Sequence, residues 1–352
     1  MRSVIITILF FCFCQCSRQS QHNYVVEVHK GTELLHIINY LAGVYSPAVQ
    51  NSSYRKAVDE WFVNFKDHPV LDVARKLPYN DFVDLGWCIQ FPDYSITFPE
   101  KYGYFDQIVD KNLLANYLTL STEFAKASDF MSFFDSQEDN YSKWENQFLT
   151  RLREEKPLQA LGNFYQIPLR QKIYFSISPM GVVLRANIFQ AEISPENKIY
   201  APVIIPFDNR FIDNESKEPN FKYSRVSLNN NVWHEVSHLY WEYLNAPYRD
   251  EILALKYADS LSINFKTFES DAQNTYSYIH EIIADAVTIF LKKKYIGVEE
   301  AEEHLSLNES YGSPLYRKVV NLIENEYWDN REKINFQEFT PQIIALIKEE
   351  GQ

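Results

Sequence analysis

His234, Glu235 and His238 stand in the order His-Glu-x-x-His within residues 231–240. On a helix, positions four apart lie one turn above each other on the same face. Two imidazoles so placed can share one zinc ion, and a carboxylate beside the first can take a proton from water at that ion. Such a site needs a third protein ligand and leaves one position open. Glu281 is the candidate. Asp285 follows it by four residues in Glu281-Ile-Ile-Ala-Asp285, so both carboxylates share one face of a second helix. Glu281 can ligate while Asp285 accepts the free ring N–H of a ligand histidine and orients that ring. His280 competes for the third position by its chemistry. It points about a third of a turn away, and no carboxylate follows it four residues on.

These residues need two helices to carry them. The first is predicted to run from a cap at Ser227 or an adjacent Asn to about Leu244, ended by Asn245-Ala-Pro247. Trp233, Val236, Leu239 and Tyr240 form its apolar face, while His234, His238 and Trp241 share another. A linking helix is expected near Glu251–Ser260, then a loop to about Asn274. The second helix follows, from Thr275 to Lys294. Lys292, Lys293 and Lys294 suit the negative end of its dipole and are read as solvated. Glu299–Glu303 reads as a solvated helix start, and Leu315–Glu349 as two helices with a break near Asn330–Phe336. Ahead of the first helix, Lys172–Ser178, Val182–Gln190 and Lys198–Pro206 read as strands of a small sheet, with a turn at Pro179-Met-Gly181.

The chain before residue 164 is expected to be mainly helical. Tyr24–His29 alternates as a strand, and Gly31 or Thr32 opens a helix over Glu33–Leu41. Val58, Trp61, Phe62 and Phe65 recur at helical spacing, as do Leu113, Leu114, Tyr117 and Leu118. Asp135–Asn140 and Lys156-Pro157 punctuate this half as loops. His29, His36 and His68 have no ligand partner at helical spacing and read as packing or surface residues. The expected fold class is α+β, mostly helical, with regions at 23–163 and 164–352.

With 352 residues, 46% hydrophobic and 23% charged, the chain can bury a large core. A formal net charge of −13 argues against nucleic acid as a partner. Cys12, Cys14 and Cys16 lie at the start and only Cys88 lies beyond, so no disulfide framework supports the body. Residues 1–16 read as an export signal: Arg2 gives the positive start, and the apolar run Val4–Phe13 is too short to span a bilayer. Two cleavage readings stand. Cys16 is the lipidated first residue of a lipoprotein, or an ordinary signal peptidase cuts near Cys16 or Ser17. Residues 17–22 form a polar tether. The expected location is outside the cytoplasm, secreted or lipid-anchored, with membrane contact only through Cys16.

His-Glu-x-x-His on one helix and Glu-x-x-x-Asp on a later one resembles the gluzincin metallopeptidases, and Glu-x-x-Ala-Asp is especially similar to the neprilysin-like group. The Asn-Ala-aromatic substrate strand of that group is missing; Arg185-Ala-Asn187 carries the letters in another order. The chain is more closely similar to an uncharacterised, gluzincin-like family of secreted or lipid-anchored bacterial proteins. The resemblance covers nearly all residues from 24 onward. It rests on the opening strand and Glu33-Leu-Leu-His-Ile-Ile38, Ser176-Ile-Ser-Pro179, the His-Glu-x-Ser-His helix, and Asn330–Phe336 followed by Phe339-Thr-Pro341.

The resemblance implies a zincin-like fold over 164–352. It implies Zn2+ and hydrolysis without a known substrate, which puts the ion on His234, His238 and Glu281, with Asp285 behind them and Glu235 as general base; a peptide or protein is the expected substrate. Gluzincins steady the oxyanion with a downstream Tyr or His; Tyr311, beside Gly312, is the first expectation, with His304, Tyr316 and Tyr278 after it. Two other functions are open: a non-catalytic surface protein that binds a ligand on the same scaffold, and a zinc hydrolase of non-peptide amides or esters. The presence of Glu235 argues against the former, because a binding site needs no base.

Overall fold

The structure, a computed structural model, describes residues 24–45, 47, 51–77, 82–97, 110–168, 172–181, 185–192, 198–204, 218–255, 271–310 and 315–350. The export signal at 1–16, Cys16, the tether at 17–22 and Tyr311 lie outside the described residues. Among the described residues no helix is long and apolar enough to cross a membrane.

The valine-rich opening forms β1 (Tyr24–Glu27), and it joins the sheet that the later strands build. Here β4 (Lys172–Ile177) lies between β1 and β6 (Lys198–Ile204), parallel to both, and β5 (Arg185–Glu192) closes the far side antiparallel to β6. The order is β1-β4-β6-β5, with Tyr24 opposite Ile173 and Ile173 opposite Tyr200. The sheet therefore draws on both halves of the chain. A separate two-stranded piece pairs β2 (Ile89–Gln90) with β3 (Ser95–Ile96).

Around this sheet the first half is helical, as its periodicity predicts. The first helix, α1 (Lys30–Leu41), opens on His29 rather than on Gly31 or Thr32: the His29 ring Nδ1 accepts the Thr32 N–H at 3.2 Å. Leu34, Leu35, Ile37 and Ile38 of α1 are wholly buried, and Glu33, His36 and Asn39 are buried with them. Gly31 meets Gly86 backbone to backbone; a Cβ on Gly31 would lie 1.9 Å from the Gly86 carbonyl oxygen. His36 is thus a packing residue, and His68 caps α3 (Pro69–Ala74).

Between them lies α2 (Ser53–Trp61), and then α4 (Lys111–Ala127), α5 (Phe130–Ser136), α6 (Glu138–Glu155) and α7 (Pro157–Tyr165) follow in series. The loop expected over Asp135–Asn140 shrinks to Gln137 alone, because Phe130, Phe133 and Phe134 hold a short helix against the core up to that point. Lys156, with φ at 53°, breaks α6 from α7, and Pro157 sits where its missing N–H costs nothing.

The second half opens with α8 (Arg225–Asn245), capped by Ser224 and not by Ser227; the Ser224 Oγ accepts the Ser227 N–H at 3.1 Å. The expected linking helix is shorter and earlier, α9 (Arg249–Leu253); residues 256–270 lie outside the described set. Helix α10 (Asp271–Tyr295) begins one turn before the expected Thr275. It is followed by α11 (Val298–Ser310), α12 (Leu315–Leu322), a wider turn over Ile323–Tyr327, and α13 (Phe336–Glu350) after the expected break.

Lys292 departs from the expected solvated lysine run, whereas Lys294 is exposed as expected. Lys292 is 7% exposed, with Nζ 3.2 Å from His304 Nδ1 of α11; Lys293 pairs with Glu324, and Lys294 lies over the Trp328 ring. One apolar core runs through both halves, with Trp144 of α6 and Trp233 and Trp241 of α8 wholly enclosed. Tyr165 of α7 stacks on Tyr240 of α8 with ring centres 3.9 Å apart, a contact worth about 0.5–1.5 kcal/mol beyond its buried area. The Trp233 indole N–H donates to the Pro157 carbonyl at 3.2 Å. These contacts fix the rotation of α8 and so the direction its histidines face.

Candidate metal centre

Two antiparallel helices build the centre. The start of α8 meets the end of α10 where Arg225 donates to the Tyr295 carbonyl at 2.7 Å. The end of α8 meets the start of α10 where the Tyr276 hydroxyl donates to Asn245 Oδ1 at 3.1 Å. Val236 of α8 and Ile282 and Ile283 of α10 are wholly buried, which sets both helices in the core. Each such aliphatic side chain contributes about 1.5–3 kcal/mol by its burial. On the facing sides of the two helices the sequence-predicted residues come to one point.

His234 Nε2 and His238 Nε2 lie 3.2 Å apart. Glu281 places one carboxylate oxygen 3.3 Å from His234 Nε2 and the other 3.6 Å from His238 Nε2. Among the described residues, these three form the group that could hold a metal ion, their ligand atoms all within 4.8 Å of one another. A tetrahedron around an ion with bonds of about 2.0–2.1 Å has edges of about 3.3–3.4 Å. The His234–His238 and His234–Glu281 separations are of that size, and the second Glu281 oxygen stands 3.6 Å from His238. The residues therefore fit an ion held on three corners of a tetrahedron.

Asp285 supports this arrangement from behind. Its Oδ1 lies 2.7 Å from His234 Nδ1, so the ring N–H points to Asp285 and the Nε2 lone pair is left for the centre. Burial works against charge on His234, but the Asp285 and Glu281 carboxylates outweigh it and hold a proton there well above the usual imidazole range. The same carboxylates would hold a cation at that nitrogen. Burial likewise opposes the charge on Glu281, and the two imidazoles overcome it, keeping the carboxyl down at about 2. Burial dominates at His238 and pushes it down to about 4, so its nitrogen is free to ligate at neutral pH.

Glu235 is half-buried on α8 beside His234, and its charge is one of those favouring the proton on that histidine. His280, the competing third ligand, is turned elsewhere. Its Nε2 accepts from the Asn245 amide at 2.7 Å and lies 3.4 Å from Glu242. Burial keeps it neutral, at about 3.

The downstream candidates separate. Tyr316 of α12 is buried; burial first, then the Asp285, Tyr278 and Glu281 charges, raise its hydroxyl. Tyr278 is buried on α10. His304 faces away from the ligand nitrogens: its Nδ1 meets Lys292 and its Nε2 lies 3.7 Å from Asp285. Asn308 was not found by sequence reasoning. It donates to Asp285 Oδ2 at 2.7 Å, and the only signal for it is its place four residues after His304.

No family model, curated protein or solved structure matches this chain.

Proposed function

We propose that the chain is a zinc-dependent hydrolase of the gluzincin type, with a zincin-like fold, acting on peptide bonds outside the cytoplasm. One observation carries the reading. Two imidazole nitrogens and a carboxylate converge with their ligand atoms within 4.8 Å of one another, and a second carboxylate fixes one ring from behind. A two-imidazole, one-carboxylate donor set suits zinc.

His234, His238 and Glu281 would hold the ion. Bound there, zinc makes water a nucleophile near neutral pH and polarises a carbonyl. Glu235 has the position of the base: it takes the proton of the attacking water and delivers it to the leaving amine nitrogen. Asp285 keeps the His234 proton on Nδ1 throughout. Tyr316, whose raised hydroxyl stays protonated, is suited to donate to a developing oxyanion.

The test is the metal content of protein purified without chelator, followed by cleavage of a peptide library. The expected result is one zinc per chain and hydrolysis that falls by about 10²–10⁴ in Glu235→Gln with the metal retained. Protein without metal removes the zinc reading, and full activity in Glu235→Gln removes the mechanism. Hydrolysis of esters or small amides with intact peptides would replace the peptidase by the broader hydrolase.

A further inference from the structure

Three helices each bring a pair of polar residues, four apart, to this region: His234 and His238 on α8, Glu281 and Asp285 on α10, His304 and Asn308 on α11. The third pair has no part in the ligand set. Helix α11 reaches it by turning back on α10, whose end is closed by the Gly297 N–H donating to the Lys292 carbonyl at 3.0 Å. That turn lays Asn308, 7% exposed, against the far oxygen of Asp285.

The chemistry fixes the orientation of the amide. A carboxylate oxygen only accepts, so the Asn308 NH2 must face Oδ2, at 2.7 Å. The other oxygen of Asp285 is 2.7 Å from His234 Nδ1. One carboxylate is thereby held at both ends, by an amide on one side and an imidazole on the other. His304 stands beside it. Lysine only donates, so His304 Nδ1 accepts from Lys292 at 3.2 Å and its proton sits on Nε2, aimed toward Asp285 Oδ1 at 3.7 Å.

We propose that Asn308 is a positioning residue for the metal centre. It keeps Asp285 from rotating about its Cβ–Cγ bond, and Asp285 in turn keeps the His234 ring aimed at the ion. The proposal rests on the zinc reading. It adds that the site spans three helices and is complete only when α11 is docked on α10.

Metal affinity of the full chain tests it. Protein stripped with chelator is titrated with Zn2+ against a chromophoric competitor, and with Co2+ while the visible bands are recorded. In the wild type one tight site is expected. Asn308→Leu removes the donor and should weaken both metals about tenfold and shift the Co2+ bands. Introduced into Asp285→Asn, the same substitution should cost nothing further, because Asn308 acts through Asp285. Asn308→Ala also removes the donor and serves the same purpose should the Leu variant fail to fold.

Affinities in both Asn308 variants within twofold of wild type, with unchanged bands, overturn the inference and leave the zinc reading intact. So does an equal loss in the presence and absence of Asp285, which marks a merely structural effect. A wild type that takes up neither ion removes the zinc reading and the inference together.

Discussion

Glu33→Gln keeps the shape of a fully buried side chain and removes its charge. Glu33 lies in the first turn of α1 with no exposed surface. Ser178 donates to one of its oxygens at 2.7 Å, and Tyr54, itself bonded to Tyr141 at 2.7 Å, donates to the other at 3.0 Å. Burial raises this carboxyl; the Ser178, Tyr54 and Met180 N–H bonds pull it back, and it comes to rest at about 7. The ordinary value of 4.5 applies once the chain unfolds.

Between those two values the native state holds a proton that the unfolded state has lost. Stability owed to Glu33 is therefore full below pH 4.5 and declines as pH rises to 7. At about 1.4 kcal/mol per pH unit, the decline amounts to about 3 kcal/mol. Urea unfolding of wild type and Glu33→Gln at half-unit steps from pH 4 to 8 measures it. The difference in unfolding free energy should shrink against the wild type by that amount on going up in pH, then stay flat. Parallel curves would show that Glu33 ionises in the fold as easily as in water, and the reasoning from its burial would be wrong.

Acid should act the opposite way on His36. Burial lowers it to about 3, so the fold loses about 1.4 kcal/mol per unit as pH falls below 6.5, and His36→Gln should flatten that limb of the same titration. Gly86→Ala would place a Cβ 2.2 Å from the Gly31 carbonyl carbon, and should cost about 3 kcal/mol or more in thermal unfolding. Gly162→Ala, with nothing within 4 Å on α7, should instead gain about 0.5–1 kcal/mol. On the lipoprotein reading, Cys16→Ser in the exporting host should abolish labelling by a fatty-acid precursor; unchanged labelling would place any acyl group elsewhere.

The convergence of His234, His238 and Glu281 was legible because it depends on local spacing. His234 with His238, and Glu281 with Asp285, are each four apart, and a helix turns that spacing into a shared face without further information. That Glu281 and not His280 joins the two imidazoles follows from the same spacing. What failed in the sequence depends on where a second element arrives. Lys292 looks solvated until α11 folds over it, and Asn308 means nothing until that fold sets it on Asp285. The caps were misplaced by two to three residues because serines at 224 and 227 both have the right chemistry, and because a histidine such as His29 seldom caps. The role of β1 in the sheet was also hidden, since a short valine-rich strand carries no address for its partner.

That partner is far along the chain. Tyr24 pairs with Ile173, and β4 pairs on its other side with β6. The first strand to emerge during synthesis must therefore wait, unpaired, until nearly the whole helical first half has followed it. Glu33 shares the delay, because its Ser178 donor lies just past β4. Closing so long a loop is slow, and contacts of this kind form late on the way to the native state. On the export reading, this order gives the chain time to cross a membrane before folding, since its sheet cannot close until β6 has been made.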